Sequence, residues 1–170
     1  HMSMYETVII MANLAGKSGA ALAPVVSSIC KEQNKNVLSF AIMPFKFEKN
    51  RIFQSGISLK RLKMNSDSTI IIDNDAILDS NPDFTTQRCY DVTNNAIKCL
   101  ATSIKSSSLT DDTNIMSTSR STENIEDSVK DSIKMLYEDA PPNSIKRSML
   151  YVYGADKIPV GVINSISNIL

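Results

Sequence analysis

The sequence predicts an α/β fold: a three-stranded parallel sheet with helical crossovers, a long connecting helix and a second, smaller α/β lobe. Three observations predict it. Short apolar runs alternate with helical patterns through the first half of the chain. A long helical stretch follows Asn81-Pro82-Asp83. Beyond a Ser/Thr/Asp-rich boundary at residues 102–122, a helix, a strand and a last helix follow.

Each element has its own signal. Tyr5–Asn13 is β-branched and apolar without alternation, as in a strand covered on both faces. Leu14-Ala15-Gly16-Lys17-Ser18-Gly19 is a turn, and Ala20–Gln33 has helical composition. Pro24 must lie in the first turn of that helix or kink it, because proline lacks a backbone donor. Lys35-Asn36 is a turn before a second buried strand, Val37–Met43. After the loop Pro44-Phe45-Lys46-Phe47-Glu48, the residues Ile52, Phe53, Ile57 and Leu62 recur as a helical face. Ser68–Ile72 is a third buried strand, ending in Asp73-Asn74-Asp75. Strand, helix, strand, helix, strand requires crossovers and so a parallel sheet.

The long helix should run to about Ile104, with Ala96, Ile97, Leu100 and Ile104 on one face; Pro82 and Asp83 are natural helix starters. A short strand is expected at Asn114–Ser119. Ile125, Val129, Ile133 and Leu136 make Glu123–Glu138 an amphipathic helix, with acids in its first turn as the helix dipole favours. Ala140-Pro141-Pro142 stops it. Ser148–Tyr153 reads as a strand, Gly154 as a turn and Val160–Leu170 as a final helix.

Composition narrows the function. Lys plus Arg is 18 and Asp plus Glu is 18, with no basic run, so the electrostatic footprint of a nucleic-acid binder is missing. Runs such as Val8–Ala12 are far too short to cross a bilayer, and no signal peptide is visible, so a cytoplasmic setting is expected. His1-Met2 before Ser3-Met4 reads as a cloning remnant; without it the chain has no histidine. Histidine-based triads and histidine-rich metal sites are then closed to it, and no metal site is expected. Cys30, Cys89 and Cys99 form no CxxC pair, which suits a reducing compartment.

Gly16-Lys17-Ser18, after a strand and before a helix, invites a phosphate-loop reading. That motif needs a glycine where Met11 stands, inside the strand. A Gly-containing turn aimed into a helix N-terminus still suits an anion. Pro44–Glu48 and Asp73–Asp75 fall at the carboxyl ends of the second and third strands, the rim where open parallel sheets bind ligands. Polar residues there could hold a ribose or base edge, or could simply cap the loops.

In order, Val8–Asn13 with Gly16–Pro24, Pro44–Glu48, Arg51, Gly56 and Asp67–Asp75 resemble the middle of the FtsZ/tubulin family. That family carries a Gly-Thr-rich loop ending Gly-Ala-Ala-Pro, then Pro-Phe-x-Phe-Glu, a basic residue, a glycine and a strand ending Asn-Asp. Pro44-Phe45-Lys46-Phe47-Glu48 matches in full, and Asn74-Asp75 follows at a fitting distance. The later strand, Gly154, Asp156 and the final helix also look like that family's second domain.

The resemblance implies a partial Rossmann-like sheet: residues 3–80 as remnant nucleotide-binding domain, 81–105 as connecting helix and 106–170 as partial C-terminal domain. It implies GTP or GDP as ligand, with Gly16, Ser18 and Gly19 toward phosphate, Glu48 and Arg51 toward ribose, Asn74 toward the nucleoside and Asp91 toward guanine. Asp111 falls near the second acid of the loop that completes a neighbouring subunit's site; Ser108 and Ser106 stand for its first acid and its asparagine.

The departures weaken that picture. Ala15-Gly16-Lys17-Ser18-Gly19-Ala20-Ala21 lacks most of the glycines that let amides approach phosphate. Relative to the family, the chain begins at the fourth strand and stops before the last two, so nucleotide binding is expected to be weak or absent. The leading expectation is a diverged FtsZ-like cell-division or cytoskeletal homologue that does not hydrolyse GTP alone. The alternative is a non-catalytic interaction module; an unrelated α/β enzyme fares worst, with no complete catalytic set visible. Because Tyr5–Asn13 would lie inside the sheet in the family, self-association through this strand, or packing of another segment on it, is expected.

Overall fold

The structure is a computed structural model, and it describes residues 4–104, 113–119, 124–153 and 158–168. The chain divides into two compact units: residues 1–75 with 105–116, and residues 76–104 with 117–170.

The first unit is an α/β layer. β1 (Thr7–Asn13), β2 (Asn36–Met43), β3 (Ser68–Asp73) and β4 (Thr113–Ile115) lie in that order in one sheet, all parallel. Ile10 stands beside Ser39, Phe40 beside Ile70 and Ile70 beside Asn114. The parallel pairing of β2 with β3 is the one the alternating pattern predicts. β4 adds a fourth strand to the three expected in the sheet; of the short strand expected at Asn114–Ser119 only Asn114 and Ile115 are strand.

α1 (Lys17–Glu32) and α2 (Lys49–Met64) are the crossovers. Ala23 and Cys30 of α1 and Leu62 of α2 pack with Ile10, Ala12, Leu14, Val37 and Ala41 in one core. α1 begins earlier than its composition suggested, so Pro24 is interior and buried. It ends at a left-handed turn: Asn34 has φ 56°, a conformation asparagine tolerates, and the Lys35 N–H closes back on the Cys30 carbonyl at 3.0 Å.

Two expectations are corrected here. α2 buries Ser55, Ser58 and Leu62, while Ile52 and Phe53 are exposed. Serines can line this face because their hydroxyls find acceptors; Ser55 Oγ donates to the Leu14 carbonyl at 2.7 Å. β1 was expected to be covered on both faces. It is the first strand of the sheet, with Ile10 and Ala12 buried but Ile9 and Met11 exposed, because α1 packs on the face that carries Ile10 and Ala12 and the other face is bare among the described residues.

α3 (Asn74–Ser80) follows β3 directly. The second unit then carries α4 (Thr86–Ser103), α5 (Ile125–Asp139), a 3₁₀ turn at Pro142–Ser144 and α6 (Val160–Ser167). The long helix starts at Thr86, later than Pro82-Asp83 suggested. Thr85 is the better cap, its Oγ1 accepting the Arg88 N–H at 3.2 Å, and Phe84 N–H closes a separate turn on the Asn81 carbonyl at 2.9 Å. Cys89, Thr93 and Ile97 form its buried stripe. Asn124 caps α5 by accepting the Glu126 N–H at 2.9 Å. Ser148–Tyr153, expected as a strand, is not one. Strands exist by pairing, and these residues have no strand partner among the described residues; Met149, Leu150, Tyr151 and Tyr153 are exposed. Gly154 and Asp156 lie outside the described residues.

Candidate functional site at the sheet rim

Parallel strands deliver their following loops to one rim, and β1, β2 and β3 do so here. The turn after β1 is built on Asn13. Its side-chain Oδ1 accepts the Ala15 N–H at 2.9 Å, and its carbonyl accepts the Gly16 N–H at 3.2 Å. Leu14 is buried and its N–H reaches the Ile42 carbonyl at 2.9 Å, tying the turn to β2. Gly19 lies against the Asn13 backbone so closely that a Cβ would collide with it.

The loop after β2 is held from two sides. Phe45 is buried and stacks on exposed Phe47, ring centroids 5.0 Å apart. Glu48 accepts the Phe45 N–H at 3.1 Å through Oε2 and pairs with Arg51 at 3.2 Å through Oε1. The end of β3 supplies the other restraint. Buried Asn74 donates Nδ2–H to the Met43 carbonyl at 3.1 Å, and Asp75 Oδ2 accepts the Lys46 N–H at 2.6 Å.

Gly16, Ser18, Gly19, Glu48, Arg51 and Asn74 therefore all belong to the rim of the first unit. Asp91 belongs to the second unit, exposed on α4, where it accepts from Gln87 Nε2 at 3.0 Å. Asp111, Ser106 and Ser108 lie outside the described residues. Reasoning from sequence missed Asp75 as the brace of the Pro44–Glu48 loop. An acid just past a parallel strand, facing the neighbouring strand's loop, was the available signal.

Toward a nucleotide the fit is partial. The N-terminus of α1 has no side-chain cap, so its first-turn amides suit an anionic group. The amides of Ala15 and Gly16 are engaged by Asn13, and Gly19 is used for packing. Among the described residues no cluster of three acids, cysteines or histidines could hold a metal ion.

Residues 1–82 match the family model described as the Tubulin/FtsZ family, GTPase domain. This region resembles the GTPase domain of the tubulin/FtsZ family. The chain is 33% identical over 87 residues to cell division protein FtsZ 2 of Halobacterium salinarum, an overlap of 51% of this chain and 22% of that protein. It is similar in structure to an empty FtsZ dimer from M. jannaschii, with a TM-score of 0.54 and 28% identity, covering 58% of this chain and 30% of that one. An M. jannaschii FtsZ mutant superimposes with a TM-score of 0.66 over 81% of this chain and 48% of its own; at 21% identity this speaks for the fold alone. The chain spans about a fifth of the length of the curated relatives it matches.

Proposed function

We propose that this chain is a diverged FtsZ-like protein of cell division or of a cytoskeletal filament, acting in the cytoplasm, that does not hydrolyse GTP alone. On this reading residues 3–80 are a remnant nucleotide-binding domain, 81–105 a connecting helix and 106–170 a partial C-terminal domain. The observation that carries it is the braced rim, where Asn74 and Asp75 fasten the Pro44–Glu48 loop inside the family-matched residues. Gly16, Ser18 and Gly19 would lie toward phosphate, Glu48 and Arg51 toward ribose, Asn74 toward the nucleoside, and Asp91 toward guanine. Phosphoryl transfer needs preorganised donors around the transferring group, and the engaged amides of Ala15 and Gly16 supply none. Asp111 is the residue proposed to act on a neighbouring subunit's nucleotide. Self-association accompanies this reading, in keeping with the FtsZ dimer among its structural relatives.

A non-catalytic interaction module is the second reading. It is favoured by the internal pairing of Glu48 with Arg51 and of Asn74 with Met43, which already uses the side chains a nucleotide would need. Titration of fluorescently labelled GTP tests both. Weak saturable binding that is lost in Asn74→Ala supports the first; no binding at millimolar nucleotide supports the second.

A further inference from the structure

α2 turns a basic face away from the protein. Lys49–Met64 contains Lys49, Arg51, Lys60, Arg61 and Lys63 and no acid. The chain is neutral overall, so the remainder carries a matching negative excess. All of these basic residues are exposed. Arg51 pairs with Glu48, but among the described residues Lys49, Lys60, Arg61 and Lys63 make no ion pair.

Apolar side chains are interleaved with these cations. At about 3.6 residues per turn, Lys49, Phe53, Gly56, Lys60 and Met64 line up opposite buried Ser55, Ser58 and Leu62. Phe53 is 78% and Met64 76% exposed. Exposed Ile52 and Lys63 flank the stripe on one side, and exposed Arg61 flanks it on the other. Exposed Phe47 lies in the loop that leads into the helix. The stripe is about 22 Å long. α2 crosses between β2 and β3, the two inner strands of the sheet, so its outward face does not depend on a sheet edge.

We propose that the outward face of α2 docks on an anionic lipid surface. Anionic headgroups supply the counter-charge that Lys49, Lys60, Arg61 and Lys63 lack within the described residues. Long lysine stems keep the ammonium groups at headgroup level while Phe53 and Met64 enter the boundary with the acyl chains. Gly56, with open space where a Cβ would stand, lets the middle of the helix approach a flat surface closely. Lysine, which dominates this face, is depleted at protein–protein interfaces, so a protein partner fits less well. A nucleic-acid duplex would meet the cations and leave Phe53 and Met64 in water. The contact is peripheral: among the described residues no helix is long and apolar enough to cross a membrane.

This goes beyond the nucleotide reading and is measured without nucleotide, so the two fail separately. The full chain should co-sediment with phosphatidylcholine vesicles containing about one-third phosphatidylserine, and about tenfold less with phosphatidylcholine alone. Lys60→Glu/Lys63→Glu should weaken binding to the anionic vesicles by about tenfold or more. Lys130→Glu/Lys134→Glu makes the same charge change at exposed positions on α5 of the second unit and should bind like wild type. The chain has no tryptophan, so Phe53→Trp supplies a single fluorophore, whose emission should move to the blue on the anionic vesicles. No binding, equal binding to both vesicles, equal losses from the two charge reversals, or an unmoved emission overturns the proposal. So does a chain that ignores vesicles and binds polyglutamate or duplex DNA instead, which would assign the face to an acidic protein or a nucleic acid.

Discussion

Gly19 lies so near the backbone of Asn13 that a single added methyl would collide with the Asn13 carbonyl. Here glycine serves close packing between the first turn of α1 and the end of β1. The same glycine, read from sequence, belonged to a loop facing phosphate. Gly56 on α2 is the opposite case, exposed with open space where a Cβ would go.

The two glycines should respond in opposite directions. Gly19→Ala should destabilise the first unit by about 1–3 kcal/mol through overpacking. Gly56→Ala should stabilise it by about 0.5–1 kcal/mol through helix propensity. Urea midpoints followed by circular dichroism decide it, and equal midpoints for wild type and Gly19→Ala would refute the packing role.

Asp75 and Asn74 should matter for folding whether or not a nucleotide binds. Asp75→Ala removes the acceptor 2.6 Å from the Lys46 N–H and should cost about 1–3 kcal/mol. Asn74→Ala removes a buried amide that reaches the Met43 carbonyl and should fall in the same range of about 1–3 kcal/mol. Chemical denaturation of each variant measures this. A change confined to nucleotide affinity, with stability intact, would mean that the rim is braced elsewhere.

Asp67 gives the fold an acid-sensitive joint. Partial burial by itself would raise its pKa. The hydrogen bond from Lys31 at 2.5 Å, the Val37 N–H at 2.7 Å and the Lys31 charge outweigh that and hold the carboxyl below its ordinary value. A depressed folded-state pKa adds stability that is present above the unfolded value and lost as pH falls through the folded one. The loss should begin near pH 4 and continue downward. Both side chains are more than a third exposed or close to it, so the effect should stay under about 1 kcal/mol. Thermal melts from pH 2.5 to pH 6 should show a shallower acid limb for Asp67→Asn. An identical limb would remove Asp67 from the account.

Phosphate release from GTP should be undetectable for the chain alone at micromolar protein over hours. A malachite-green assay reads it directly. Turnover that disappeared in Asp111→Ala would reverse the reading of the Ala15–Ala21 turn as unable to support phosphoryl transfer.

Much of this architecture follows from local pattern. The apolar runs in Thr7–Asn13, Asn36–Met43 and Ser68–Asp73 select strands, and the intervening helices force them parallel. Pro44-Phe45-Lys46-Phe47-Glu48 and Asn74-Asp75 mark the rim because loops after parallel strands share one end of the sheet. The helix starts at Thr85 and Asn124 depend on side-chain oxygens meeting specific amides, and only the folded backbone reveals which oxygen does so.

What the sequence by itself determined is the order and type of the elements in the first unit, and the family that region resembles. What only the tertiary structure decided is how each element is used. Ile9 and Ile10 are chemically identical, yet one is exposed and the other buried, because a strand's two faces differ only when something packs on one of them. Ser55 and Ser58 face the core while Phe53 faces solvent, because a long-range acceptor such as the Leu14 carbonyl settles a hydroxyl that periodicity would place outside. Ser148–Tyr153 carries a strand's composition without forming one, since backbone pairing needs a partner that no local pattern can supply.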